Sequence, residues 1–346
     1  MGLLGFYLRK FYSLVRGEVL VLPSRIIVGL FFVILLGLPL ISQNPYLIRI
    51  IILTSIFAIL AASWDLLSGF TGQMNFGQAL FFGVGAYTSA LLHIHIHIPP
   101  WGSVPLGAVA AVLAGLIVGI PCLRLKHTYL ALTTLAFPII LMGIVFALPD
   151  LTGGELGISG LQRLTNSLLG NYYLHVGTLL VLGTVMWKIT DSHTGIIFHA
   201  IREDELAVKA SGINTTRYKL LAFSLSGLFA GLSGGLYAHY MRIAGPSTLE
   251  ISLSFTVVIW AIFGGVATIY GPIASVFILF PLLEFIRFWP EYRTLIFAFV
   301  VLLILLYMPE GLITWARDKI EKQCPRCKIR NVATRTTCRV CTAELD

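Results

Sequence analysis

Near the end of the sequence, "CPRCKIRNVATRTTCRVC" places Cys324 and Cys327, then Cys338 and Cys341, as two Cys-x2-Cys pairs with ten residues between them. Thiolates at this spacing suit a tetrahedral zinc ion, each pair gripping one side of the metal. Residues 322–346 are too few to bury an apolar core, so the metal would supply the folding energy. The segment reads as a structural zinc ribbon, and a closed four-sulfur site leaves no open position for catalysis. The fifth cysteine, Cys122, stands alone at the end of an apolar run and reads as structural.

A second cluster lies mid-chain. "AIREDELAVKASGI", residues 200–213, carries Arg202, Glu203, Asp204, Glu205 and Lys209 in a sequence that is only 12% charged. Residues 202–210 favour helix, and Gly212 reads as its C-terminal stop. A short charged helix between apolar runs is too polar for lipid and too small for a domain. It suits a peg for a partner protein, against the plainer reading of a solvated loop.

A third group is polar and glycine-rich: Gly69, Thr71, Gly72, Gln73, Asn75, Gly77 and Gln78. Glycines free the backbone, while Gln and Asn supply hydrogen bonds. Irregular backbone at membrane depth is tolerated where protein or a water-filled cavity surrounds it. These residues therefore read as part of a substrate path or as a tight, closely packed turn. Asp65 and Glu284 are ionisable residues within apolar runs, which invites a functional reading. A structural role near the membrane surface is favoured for both, with Arg287 three residues after Glu284 as a helical neighbour. His93, His95 and His97 alternate with isoleucines, and a loop without metal is favoured there because no further ligands are near.

The elements that must carry these groups are apolar. The chain has 346 residues, is 57% hydrophobic and has a mean hydropathy of +0.88, which excludes an ordinary soluble domain. Apolar runs long enough to approach or cross a bilayer occur at 26–42, 46–68, 76–92, 102–122, 128–148, 173–190, 219–241, 252–268, 272–288 and 294–308. The expected fold is all-α and polytopic, with about ten transmembrane helices. Arg9, Lys10, Arg16, Arg25, Arg124, Lys126, Arg202, Lys209, Arg217 and the basic tail then fall on one side. Arg163, Arg242 and Arg293 are the main basic residues on the other, so both termini are expected in the cytoplasm. The net charge of +8 follows these flanks and implies no nucleic-acid partner. Residues 1–25 read as an interfacial cytoplasmic segment with apolar positions at helical spacing and no signal-peptide cleavage site. Two sets of five spans would make any internal repeat inverted.

The run "IREDELAVKASGINTTRYKLLAFSLSGLFAG" resembles the cytoplasmic coupling loop of the branched-chain amino acid permeases of ABC importers, the LivM-type subunits. "WDLLSGFTGQMNFGQALFFGVGAYTSALL", "LTGGELGISGL", "VVIWAIFGGVATIYGPIASV" and "YMPEGLI" carry the same resemblance, which covers about residues 45–315. The general importer signature has Glu-Ala-Ala and, after three residues, Gly. Glu205, Leu206 and Ala207 stand here, with Ser211 in the glycine place and Gly212 one later, so the short signature is matched loosely. The cysteine tail is an addition to the family pattern.

The resemblance implies a permease domain over 26–315 with a coupling helix at about 200–212, where Arg202, Glu203, Asp204, Glu205, Ala207 and Gly212 would meet an ATPase subunit. It implies a second permease subunit, an external binding protein, and leucine, isoleucine or valine as cargo carried by alternating access. The resemblance leaves urea or short amides open as the alternative cargo of a permease of the same family. The sequence contains no G-x-x-x-x-G-K-[ST] loop, so ATP hydrolysis would come from the partner and this chain would not be an enzyme. An ion-coupled carrier would have little beyond Asp65 and Glu284 for its ion. A membrane-embedded enzyme would need clustered catalytic residues in the spans, and none is present in the sequence.

Overall fold

The computed structural model describes residues 23–122, 125, 127–286, 311–325 and 330–333, with scattered positions between 295 and 306 and between 336 and 344. Residues 1–22, Cys327 and most of the tenth apolar run lie outside the described residues. The chain forms two compact units, one of Gln43–Gly311 and one joining Met1–Ser42 with Leu312–Asp346.

In the larger unit the helices are α2 (Pro45–Trp64), α3 (Gln78–His95), α4 (Pro100–Cys122), α5 (His127–Ala147), α6 (Leu168–Thr190), α7 (His193–Glu203), α8 (Glu205–Ala210), α9 (Thr215–Met241), α10 (Ile251–Gly264) and α11 (Tyr270–Phe285). Among the described residues six helices are long and apolar enough to cross a membrane, and α10 and α11 are shorter apolar helices. This is a mostly helical, polytopic membrane protein.

Helix starts follow local chemistry. The Asn44 side chain accepts the Tyr46 amide at 3.0 Å, with Pro45 fixing the first turn of α2. Ser167 accepts from Gly170 at 2.9 Å to open α6, and Asn214 accepts from Arg217 at 3.1 Å to open α9.

α2 is the central helix. Its most apolar window is 78% buried, against 28% for the α5 window, so α5 keeps most of its apolar surface for lipid or another chain. Ile48, Ile52, Ile56, Ile59, Leu60 and Trp64 of α2 are fully enclosed. α9 packs against α2, α3 and α4. Lipid is as apolar as leucine, so close backbone approach drives such packing. Gly85 of α3 meets the backbone of Gly231 on α9 with no room for a side chain.

At one end of this unit a two-residue ladder, β1 (Ile158–Ser159) against β2 (Ile243–Ala244), ties the segment after α5 to the end of α9. Arg242 Nε donates to Leu161 O at 3.0 Å beside it. This ladder is a small exception to the all-α expectation. The three histidines do not gather. His93 is buried, with Nδ1 2.8 Å from Ile98 O, while His95 and His97 are exposed.

In the smaller unit α1 (Pro23–Ile41) is apolar and α12 (Leu312–Ile320) packs on it. α12 leads into a hairpin, β3 (Glu321–Gln323) antiparallel to β4 (Arg330–Val332).

Candidate functional site

The charged segment is two helices rather than the single helix expected over 202–210. α7 ends at Glu203, and Asp204 takes an extended conformation (φ −151°, ψ 101°). The physical reason is capping: Asp204 Oδ1 accepts the Leu206 and Ala207 amides at 2.8 and 3.1 Å. A carboxylate on those donors serves α8 better than a continued helix would. Gly212 ends α8 as expected. It sits at φ +82°, its amide bonding Lys209 O at 3.0 Å and the Ile213 amide bonding Val208 O at 3.3 Å. That pair of bonds closes the helix through a left-handed glycine. Ile213 then packs on the small cluster of Ile197, Ile201 and Val208.

Glu205 locks α8 onto α9. Lys219 Nζ lies 2.5 Å from Oε2 and Lys209 Nζ 2.8 Å from Oε1, while Thr215 Oγ1 donates to Oε1 at 3.2 Å. Partial burial pushes the Glu205 carboxyl up, but hydrogen bonds from Lys209 and Lys219 outweigh it and hold the group down at about 2. Arg202 reaches the other way, donating from Nη1 to Gly69 O at 2.7 Å. His199 packs edge-on to Phe70 at 4.9 Å. Burial, then the Arg202 charge, lowers its pKa, so the ring is neutral near pH 7. Glu203 and Ala207 are exposed.

The segment after α2 meets this pair of helices. α2 ends in a π-turn, Asp65–Gly69. Asp65 is fully buried, its carboxylate accepting the Ala267 amide at 2.7 Å and the Thr268 amide at 3.0 Å. It thereby anchors the join between α10 and α11. Gly69 is required because a β-carbon there would strike the Asp65 carboxylate and the Ala267 backbone. Thr71 Oγ1 donates to Leu67 O at 2.7 Å, and Gly72 lies beside Arg202.

Further on, Asn75 Oδ1 accepts the Gly77 amide at 2.9 Å and Nδ2 donates to Gln78 Oε1 at 3.1 Å. Gln78 Nε2 donates to Ser63 Oγ at 2.8 Å, and Trp64 Nε1 donates to Asn75 O at 2.6 Å. The geometry brings six of the seven polar and glycine residues into one bonded joint. Gln73 is half-buried and makes no side-chain hydrogen bond among the described residues. Glu284 lies partly buried in α11, apart from this joint in sequence, and Arg287 falls outside the described residues.

Toward the opposite end, a polar cluster escaped the sequence reading. His239 Nε2 stands 3.0 Å from both Ser89 Oγ and Ser103 Oγ, and Nδ1 stands 2.7 Å from Gln162 O. A lone histidine in "GLYAHYM" was the visible signal. Between the two ends Phe57 packs on Phe82, Tyr237, Trp260 and Phe280, with ring centroids 5.2–6.2 Å apart.

In the tail, the sulfurs of Cys324, Cys338 and Cys341 lie within 4.8 Å of one another. Cys324 Sγ and Cys341 Sγ are 3.5 Å apart, and a tetrahedral zinc at its usual bond length separates its sulfurs by about 3.8 Å. Cys338 Sγ accepts from Asn331 Nδ2 at 3.6 Å, a bond of the kind that orients a metal-bound thiolate. The donor set fits zinc.

Comparison with known proteins gives concordant matches. The family described as branched-chain amino acid transport system, permease component, matches residues 46–306. The high-affinity branched-chain amino acid transport system permease protein LivM of Salmonella typhimurium is 28% identical over 305 residues, 80% of this chain and 72% of that protein. LivM of Escherichia coli K12 is 28% identical over 312 residues, 82% of this chain and 72% of its own length. The probable permease LivH of Methanocaldococcus jannaschii is 27% identical over 243 residues, 66% and 76% of the two chains. No solved structure matches. The chain, a multi-pass protein of the inner membrane, belongs to the branched-chain amino acid permease family of ABC importers.

Proposed function

We propose that this chain is one of two permease subunits of an ATP-driven importer, carrying leucine, isoleucine or valine delivered by an external binding protein. Its relatives include both LivM and LivH permeases, which supports a pair of different subunits. Two ATPase subunits would act through α7 and α8, with Arg202, Glu203, Asp204, Glu205, Ala207 and Gly212 as the coupling element. The observation that carries this reading is the bonding of that element on two sides. Glu205 is tied to Lys219 on α9 and Arg202 to Gly69 at the end of α2, so a push on the pair reaches two helices of the unit.

The domain plan is residues 1–25 as an interfacial segment, 26–315 as the permease and 322–346 as the ribbon. Ten spans with both termini in the cytoplasm agree with the basic flanks. Zinc would be structural, held by Cys324, Cys327, Cys338 and Cys341. The residues Gly69, Thr71, Gly72, Asn75, Gly77 and Gln78 would frame the inner end of the substrate path, and Gln73 would face it.

The test is purification from the native membrane followed by identification of co-purifying subunits. An ATPase that accompanies the wild-type chain and is lost with Glu205→Arg supports the reading. A chain that purifies without any ATPase under mild crosslinking overturns it.

A further inference from the structure

Between α5 and α6 the chain crosses one end of the larger unit, and two histidines grip its Gln162 peptide there. The Gln162 carbonyl accepts from His239 Nδ1 at 2.7 Å, and its amide donates to His93 Nε2 at 3.4 Å. The two rings stand edge to face with centroids 5.3 Å apart. Both histidines are buried, whereas Gln162 is exposed. The grip therefore lies at the rim of the packed helices, on a segment whose far side is open.

The partners fix where the hydrogens sit. His93 Nδ1 faces Ile98 O at 2.8 Å and His239 Nδ1 faces Gln162 O. A carbonyl only accepts, so each Nδ1 carries its hydrogen and each Nε2 offers a lone pair. The two Nε2 atoms meet different groups. His239 Nε2 stands 3.0 Å from the hydroxyls of Ser89 and Ser103, which rotate and either donate or accept. His93 Nε2 meets a backbone amide, which only donates. A proton added to His239 is accommodated by its serines. A proton added to His93 sets N–H against N–H and breaks the bond.

Nothing nearby offsets that loss. Among the described residues no carboxylate pairs with either ring. Arg242 beside Leu161 O and Arg163 over the Tyr240 ring add positive charge to this end. Tyr87 on α3 and His175, 5.4 Å from Tyr240, are further titratable groups there. Asp150 and Glu155 of the connecting segment are exposed. The neighbouring ladder of Ile158–Ser159 on Ile243–Ala244 spans only two residues, so it does little to hold the segment alone.

We propose that His93 is a proton-operated latch on the segment joining α5 to α6. Neutral His93 holds the Gln162 amide, and acid releases it. The grip is present above the ordinary histidine pKa of about 6.5 and is lost as pH falls below it. On the ten-span topology proposed above, this segment lies on the external side.

The test is hydrogen–deuterium exchange of the full chain in lipid nanodiscs, with rates corrected for the intrinsic effect of pH. It is run at about pH 7.5 and about pH 5.5, one unit either side of the ordinary histidine value. Residues 156–163 are expected to exchange roughly tenfold faster at the lower pH, while residues 52–60 of α2 stay unchanged. His93→Gln, whose Oε1 accepts the Gln162 amide at either pH, should keep the segment protected at both. His239→Asn, which keeps a donor for the Gln162 carbonyl, should retain the wild-type pH dependence.

Equal corrected exchange at the two pH values in the wild type overturns the latch. So does a pH dependence that persists in full in His93→Gln, or one that vanishes in His239→Asn. Histidine 15N resonances of the labelled wild type, followed over the same range, give a reading that needs no folded variant. Release that does not track the titration of His93 refutes the assignment. Neither readout depends on the cargo or on an ATPase, so the latch and the permease reading stand or fall separately.

Discussion

Replacing Glu205 with Gln isolates the lock between α8 and α9. The substitution preserves shape and an acceptor for Thr215, but leaves the Lys219 ammonium, whose side chain is only 7% exposed, without its carboxylate. The carboxyl is held at about 2 against an ordinary value of 4.5, which converts at about 1.4 kcal/mol per unit to roughly 3.5 kcal/mol. Glu205 is 34% exposed, so solvent screening brings the expected cost to about 2 kcal/mol. Lys209, about half exposed, contributes little of this.

A loss of that size should raise amide exchange within α8 by roughly thirtyfold if the helix opens locally. Hydrogen–deuterium exchange over residues 200–213, compared with α6 in the same sample, reads the effect. The sign of the pH dependence is fixed by the depressed carboxyl. The stabilisation is present above pH 4.5, flat through neutrality, and lost as pH falls toward 2. Lys219→Met removes the stranded cation, so the double variant should be less damaged than the sum of the two single changes. Exchange within threefold of wild type, or a double variant that is strictly additive, would refute the lock.

Other expected outcomes follow from the same contacts. Arg202→Met removes the bond to Gly69 O, costing about 1–3 kcal/mol and increasing exchange over residues 65–72; unchanged exchange there would separate α7 from α2. His199 is kept neutral by burial, so its packing on Phe70 is stabilising above its ordinary pKa of 6.5 and weakens as pH falls below it. His199→Phe should remove that pH dependence from the exchange of α7, and persistence of the dependence would point to another group. Cys324→Ser should release zinc and make the tail sensitive to protease, read by metal analysis of the purified chain; full zinc content in the variant would refute the ribbon.

The apolar runs were legible because a bilayer demands length and hydrophobicity in one contiguous stretch, and both are printed in the sequence. Eight of those runs correspond to helices α2–α6 and α9–α11, with α1 matching the first. Boundaries were less legible because side chains set them. α3 begins at Gln78 rather than at 76, since the Phe76 amide is taken by Thr134 Oγ1 at 3.0 Å and the Gly77 amide by Asn75. The break at Asp204 was hidden because an aspartate can ride on a helix face or cap a new one, and spacing does not say which. Glu205 and Lys209 stand four apart and could be paired on sight. Lys219, fourteen residues from Glu205, reaches it only because the chain reverses at Gly212. Asp65 was visible as an ionisable residue in an apolar run, but its partners are backbone amides of Ala267 and Thr268, which no side-chain pattern announces.

These contacts converge on α2. One end carries Asp65, which holds the α10–α11 join, and Gly69, whose carbonyl receives Arg202 from α7. Its middle carries Phe57, against which Tyr237, Trp260 and Phe280 pack from α9, α10 and α11. A packed core has discrete arrangements rather than a continuous range. A shift of the α7–α8 pair therefore acts on the same helix that carries Phe57. Because Asp65 anchors the loop between α10 and α11, these helices are constrained to follow the end of α2. The helix with the most buried span is thus bonded to α7 at one end and packed through Phe57 against α9, α10 and α11 in its middle.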